Sequence, residues 1–378
     1  MKALAIVDKG LELVAKKEIE ELIGSKGKTE DTTVSFEIKK LSELIILCYK
    51  AQSVKRIILL EGKTKISNDL KKSAIEINKL VNKIKLNDWI DKQQSIKVEC
   101  ERIGEHEFTS IDLEQEVGVS MENSFEVSLK NPDLTIYLYA YKDFCYVGID
   151  ITGRDLSKRN YRIFSSSKSL KGTIAYALIK TINYNKQESI LDPLSNSGTI
   201  SIETALFTSN SPINYYKKDF SFAKLKPFKK DECDAIFKKE DKKISKDKTK
   251  IFSYDSLLRN IHSSKKNAKI AGVEKLINFS KTEIDWLDTK FNQKTIDKIA
   301  VFLPSISKRV DASKIKKLYE EFFYQAKFIL KETGLIGAVC LKKELLEDIA
   351  KKNNFILKEK IIFYSGQQPL NVFIFKKR

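Results

Sequence analysis

The sequence predicts an α/β protein, with two small mixed α/β units followed by a larger, doubly wound, mostly parallel sheet that ends in an antiparallel hairpin. Three observations carry this. Short apolar strands and amphipathic helices are interleaved up to about residue 150. Beyond residue 171 helices and strands alternate. The last stretch, FILKEKIIFYSG followed by PLNVFIFKK, reads as two strands joined by a tight turn.

The elements follow in order. KALAIV (2–7) is a strand, and Lys9 to Ile23 has helical spacing with Gly24 just past its end. VSFEIKK is a strand, LSELIILCYKA a helix and VKRIILLEG a strand, which closes a first unit near residue 75. The helix around SAIEINKLVNKI, the alternating strand QSIKVECERIG, the helix IDLEQEVGVSMEN and the strands FEVSLK, LTIYLYAYK and DFCYVGIDI make a second unit, 76–151. A polar, basic, Ser-rich connection spans 152–171. The third unit, 172–378, opens with the helix GTIAYALIKTINY and the strand end SILDP. SGTISIETALF (helix), IFSYD (strand), LLRNIHSSKKNAKIAG (helix), INFSK and DKIAVFL (strands) follow. The long amphipathic helix SKIKKLYEEFFYQAKFIL, the strand GLIGAVCL, the helix KELLEDIAKKNN and the hairpin complete it.

The chain has 378 residues, 42% of them hydrophobic, which is enough for two or three packed domains. Its 69 Lys and Arg outnumber 51 Asp and Glu, for a formal net charge of +18. Such an excess favours a polyanionic partner, because summed positive potential attracts phosphates and releases their counterions; a compositional bias toward Lys and Ile is the plainer alternative. Residues 217–250 are Lys-rich, and read either as an RNA contact or as a solvated face with interleaved acids. Five scattered cysteines without a CxxC pair, and only two histidines, argue against a zinc site and for buried thiols in a reducing cytoplasm. No apolar run reaches the ~18 residues of a membrane span, and the apolar stretch of MKALAIVDKG is too short for a signal peptide.

Two loops carry the chemistry. In SILDPLSNSGTISIETAL (189–206) an apolar strand ends in Asp192, a loop of small residues follows, and a helix begins near Gly198. Strand, small-residue loop and helix N-terminus form a backbone cradle for a nucleotide-like ligand. Asn196 stands where a second glycine would suit the turn; Asn tolerates left-handed geometry, although its side chain intrudes. An ordinary strand-to-helix turn is the plainer reading. In DKIAVFLPSISKRVDASK (297–314) another apolar strand runs into a Pro-Ser turn.

DPLSNSGTISIETAL resembles the first motif, DPMCGSGT followed by IEAA, of class I S-adenosylmethionine-dependent RNA methyltransferases that carry a THUMP domain. VGIDITGRDLSKRNYRIFSSSKSLKGTIAYALI is similar to that family's junction, with its GIDLTG and L-x-KRGYR patterns. SIKVECERIGEHEFTSIDLEQEVG and VSLKNPDLTIYLYAY resemble THUMP itself, IFSYDSLLRNIHSSKKNAKIAGV the second motif, and LYEEFFYQAKFILKETG the helix after the fourth. The likeness covers about residues 85–378 and is strongest to the branch that methylates guanosine in tRNA on its exocyclic amine.

The resemblance implies a ferredoxin-like domain at 1–75, THUMP at 76–151 and a Rossmann-like methyltransferase domain at 172–378. It implies S-adenosylmethionine as cofactor, with Asp192, Asn196, Ser197, Gly198 and Thr199 shaping its loop, Asp255 at the ribose hydroxyls and Glu283 beside the adenine. It implies that tRNA is held at the acceptor stem and single-stranded end, with Arg102, His106, Lys158, Arg159 and Arg162 as contacts; interdomain salt bridging is the alternative for Arg159 and Arg162.

The family's fourth motif, (N/D)PPYG, presents a carbonyl oxygen to the target amine and an aromatic ring to the base. Here Leu303, Pro304, Ser305, Ile306 and Ser307 occupy those positions. Leucine cannot orient an amine and isoleucine has no π face. The expectation is therefore an RNA-binding protein of this fold with weakened or lost catalysis. The alternatives are an active enzyme in which Ser305, Ser307 or Asp311 substitutes, a protein partner or second copy that supplies the group, and a purely non-enzymatic RNA-binding protein.

Overall fold

The computed structural model describes residues 1–121, 125–164, 169–306, 311–342 and 345–378. They divide into two units: Met1–Ile6 with Lys16–Leu156 and Tyr216–Glu240, and Val7–Ala15 with Ser157–Tyr215 and Asp241–Arg378.

The first unit is built on one eight-stranded sheet, in the order β2-β3-β1-β4-β8-β7-β5-β6. Its strands are β1 (Lys2–Val7), β2 (Lys28–Glu30), β3 (Thr33–Glu37), β4 (Val54–Lys65), β5 (Ser95–Ile103), β6 (Glu126–Val127), β7 (Leu134–Tyr141) and β8 (Phe144–Asp150). Helices α1 (Glu12–Ile23), α2 (Leu41–Lys50), α3 (Leu70–Val81) and α4 (Ser110–Gly118) interleave with them. The segments expected as two units, 1–75 and 76–151, are thus joined by the antiparallel pair β4–β8, from Ile58↔Asp150 to Lys65↔Phe144. The join forms because β4 runs three residues past the expected VKRIILLEG, with a register shift between Leu60 and Gly62 that lets the long strand stay paired. Central strand β7, LTIYLYAY, is buried throughout, as expected of a strand covered on both faces. FEVSLK, expected as a full strand, contributes only Glu126–Val127 to the edge, where its residues are exposed. Local rules place the helices. Asp69 caps α3 by accepting from Lys72 N–H, and Thr109 and Asp112 form a capping box on α4.

Residues 216–240, expected within the third unit, belong to this first one. They include α7 (Lys230–Asp241), numbered after α5 and α6 below. Lys224 donates to Pro132 O and Lys226 to Asn87 O, and Lys226 pairs with Asp91. Part of the Lys-rich stretch is therefore tied to the first unit, while Lys224 and Lys226 themselves remain exposed.

The second unit holds a seven-stranded sheet in the order β11-β10-β9-β12-β13-β15-β14. The strands are β9 (Ile190–Asp192), β10 (Ile251–Asp255), β11 (Ile277–Lys281), β12 (Ile296–Phe302), β13 (Leu330–Cys340), β14 (Phe355–Ser365) and β15 (Gln368–Lys377). The helices are α5 (Gly172–Thr181), α6 (Thr199–Ser209), α8 (Leu258–Ile270), α9 (Ala312–Ile329) and α10 (Leu346–Lys352). The pairs β10–β11, β10–β9, β9–β12 and β12–β13 are parallel, whereas β15 runs antiparallel to both β13 and β14. Strand order reverses between β9 and β12, so a crevice opens at their carboxyl ends. The amphipathic α9 buries Ile315, Tyr319, Phe322, Phe323, Ala326 and Ile329 against the sheet. No helix among the described residues is long and apolar enough to cross a membrane. All five cysteines are buried thiols.

Candidate active site at the carboxyl ends of β9, β10 and β12

The first loop is built by backbone. After Asp192 the chain turns through Asn196, at φ 48°, and Gly198, at φ 79°. Asn196 accepts left-handed geometry, and its Nδ2 donates to Leu194 O. A Cβ on Gly198 would lie 2.0 Å from Ser264 Oγ, so only glycine lets α8 approach. Asn267, buried in α8, then fastens the loop: its Nδ2 donates to Ser197 O and to Phe164 O, and its Oδ1 accepts from Phe164 N–H. Ser197 Oγ donates to Ser169 Oγ at 2.6 Å.

Asp255, at the end of β10, locks this loop to the next. Its Oδ2 accepts from Asn196 N–H at 2.9 Å, and its Oδ1 accepts from Leu257 N–H and Asn260 Nδ2. Asp192 is fully buried. Burial pushes its carboxyl well above the usual range, the Leu194 N–H pulls the other way, and the nearby Asp255 raises it further.

A cavity of about 420 Å³ opens over these strands, lined by Asn196, Asp255, Asn260, Leu303, Pro304 and Ser305 among others. Its size suits a nucleotide-sized ligand. The two loops singled out in the sequence thus meet at one site. Thr199 lies behind it in a small recess shared with Asp192 and Ser195. The hydroxyls of Ser195 and Thr199 are buried without a hydrogen-bond partner among the described residues. Glu283, expected beside the adenine, does not line the cavity. It is exposed and precedes the short 3-10 helix Ile284–Thr289.

The second loop is built by side chains, and these turn to structural tasks. Leu303 is 1% exposed and belongs to the core with Ile315, Tyr319 and Phe322. Its N–H donates to Val339 O. Pro304 O accepts from Tyr319 Oη at 2.6 Å. Ser305 Oγ accepts from Leu341 N–H and Lys342 N–H. Ile306 packs on the same core. Asp311 caps α9 by accepting from Ser313 N–H and Oγ, which holds its carboxyl low, and it does not line the cavity. Ser307 lies outside the described residues.

The junction residues separate. Lys158 is exposed. Arg159, expected as an RNA contact, is instead buried: Nε and Nη2 donate to the two carboxylate oxygens of Glu203, which also accepts from Tyr161 Oη. Burial leaves the guanidinium no route to a phosphate, so this is a structural pair. It also explains Gly172, whose Cβ would meet Glu203 Oε1 at 2.5 Å. Arg162 is half-buried and donates to Ser169 O beside the cavity.

In the first unit Arg102 and His106 come together. His106 Nε2 donates to Lys142 O at 2.8 Å, so its Nδ1 is the acceptor for Arg102 Nη1. Glu203 and Asn267 escaped the sequence reading, though both sit inside its quoted motifs, IETAL and KKNAKIAG. A buried partner gives no local signal.

The group implied by such a fold is S-adenosylmethionine, and the residues present fit it. Asp255 faces the cavity and its Oδ2 keeps an acceptor position. The loop of small residues, the orphaned hydroxyls and the N-terminus of α6 supply polar groups beside it.

Comparison with known proteins agrees. A family model described as an RMKL-like methyltransferase domain matches residues 159–368, and a THUMP domain model matches residues 71–150. A tRNA (guanine(6)-N2)-methyltransferase of Methanocaldococcus jannaschii is 31% identical, over 96% of this chain and 97% of that protein. Among solved structures, SMU.472 complexed with SAH has a TM-score of 0.83 at 19% identity, covering 100% of this chain and 98% of that one. TrmN from Thermus thermophilus has a TM-score of 0.72 at 19% identity, covering 100% and 99%. On its sequence motifs, its sheet order and these matches, the chain belongs to the THUMP-domain, RMKL-like methyltransferase family.

Proposed function

We propose that this protein binds tRNA and an S-adenosylmethionine-class cofactor, and that methyl transfer by the loop after β12 is weakened or lost. The observation that carries the reading is Leu303, a core side chain at the position where the family motif presents an amine-orienting carbonyl. The bound cofactor supplies an electrophilic methyl group. Asp255 accepts from its ribose hydroxyls, and the 192–199 loop lines the rest of its path. Transfer to an amine needs alignment of the nitrogen lone pair, so removing the orienting group costs roughly 100-fold or more.

The substrate class follows from the relative's name: guanine in tRNA, modified on N2. Arg102, His106, Lys158 and Arg162 are the proposed contacts to the acceptor stem and single-stranded end. The THUMP segment, 76–151, is the RNA-binding domain in this reading, and buried thiols suit a reducing cytoplasm.

A second reading, an active tRNA (guanine(6)-N2)-methyltransferase, is favoured by the match along the full relative. One experiment separates them. Calorimetry measures S-adenosylhomocysteine binding with and without tRNA, and a methyl-transfer assay runs beside the M. jannaschii relative. Cofactor and tRNA binding, with transfer at least 100-fold slower than the relative's, is the expected result. Comparable turnover overturns the loss of catalysis. Binding of tRNA without cofactor leaves a non-enzymatic RNA-binding protein.

A further inference from the structure

The loop after β12 has no side-chain amide, but the cavity has side-chain amides elsewhere. Three carboxamides line it: Asn196, Asn260 and Gln368. The first two have their orientation fixed by an Nδ2 bond, Asn196 to Leu194 O and Asn260 to Asp255 Oδ1. Gln368 opens β15, pairs with Ser365 across the hairpin turn, and is exposed. Its side chain makes no hydrogen bond among the described residues.

The hairpin is tied to the altered loop. Ser305 Oγ accepts from Leu341 N–H at 3.1 Å, and Leu341 O accepts from Asn371 Nδ2 at 3.1 Å, three residues along β15 from Gln368. Leu303, Pro304, Leu341 and Leu370 supply apolar wall around it. An uncommitted carboxamide on an apolar wall has the chemistry to read a flat heterocycle, since Oε1 accepts from a ring amine and Nε2 donates to a ring carbonyl.

We propose that Gln368 is the specificity-determining residue of this cavity, its Oε1 accepting from the exocyclic 2-amine of a guanine. The inference rests on the proposed function for the guanine, and assigns recognition to the β14–β15 hairpin rather than to the loop after β12. It involves no bond making. One added hydrogen bond of this kind changes affinity by roughly threefold to tenfold.

The test compares guanosine 5′-monophosphate with inosine 5′-monophosphate, which lacks the 2-amine. Dissociation constants are read by ligand-observed NMR on the full chain with saturating S-adenosylhomocysteine. Three variants accompany the wild type: Gln368→Leu, Gln368→Glu, which keeps the acceptor, and Gln367→Leu, an exposed neighbour that does not line the cavity. The expected result is a guanosine preference of roughly threefold to tenfold in the wild type, Gln368→Glu and Gln367→Leu, lost in Gln368→Leu. A preference that survives in Gln368→Leu, or is absent from the wild type, overturns the inference. Cofactor and tRNA binding measured on the same samples report on the proposed function separately: if they persist while the preference is unchanged, only the role of Gln368 falls.

Discussion

The loops after β9 and β12 both depart from the family's patterns, and the structure treats the departures differently. The first, 192–198, keeps its shape because backbone makes it. Asn196 takes the left-handed turn at φ 48°, its N–H still reaches Asp255, and Gly198 still admits α8. The second, 303–306, is a side-chain device in the family motif, and here its residues pack into the core and bond α9 and the chain just after β13. A site made of N–H groups tolerates any side chain that allows the φ and ψ, whereas one made of a carbonyl and a ring depends on those two side chains.

Four substitutions break or sharpen this contrast. Gly198→Ala has the largest expected effect, because it combines a positive φ with a Cβ 2.0 Å from Ser264 Oγ. A loss of about 3 kcal/mol in urea unfolding is expected, together with loss of cofactor binding. If stability is unchanged, the backbone account of the first loop fails.

Leu303→Asn comes next. Simple restoration of the family residue places a carboxamide in a position 1% exposed. Stability should fall by about 2 kcal/mol without recovery of methyl transfer. Recovered turnover would show that the second loop lacks only that one group.

Asp255→Asn tests the link between the loops at smaller cost. It removes the charge and turns one acceptor toward N–H donors. S-adenosylhomocysteine should bind roughly tenfold more weakly while tRNA affinity is retained. Equal weakening of both ligands would mean that Asp255 acts only by holding the fold.

Asp192→Asn is the subtlest, read as a slope rather than a drop. Burial raises the native carboxyl well above its ordinary value. The native state therefore holds its proton more tightly than the unfolded chain. This contribution to stability is complete below the unfolded value of about 4 and is lost as pH rises through the native one. The variant should flatten that decline in a series of unfolding curves. An unaltered slope would assign it to other groups.

Much of the fold could be read from residues in order. The α/β alternation, the closing hairpin, and the two loops at strand ends follow from local periodicity and turn chemistry, which depend on near neighbours. Asp255, Asn196 and Leu303 were each recognisable because their motifs are contiguous. Other assignments needed the chain folded. Arg159 looks like any basic junction residue until Glu203, 44 positions away, accepts from its Nε and Nη2. Residues 216–240 read as part of the third unit until packing places them with the first. Glu283 matches a motif position yet stays outside the cavity.

The sequence by itself determined that the loop after β12 lacks an amide and a ring, since composition at five adjacent positions is enough for that. Only the tertiary structure decided where Leu303 and Gln368 stand relative to the cavity. Burial and reach are properties of pairs distant in sequence, and no local pattern encodes which side chains line a cavity.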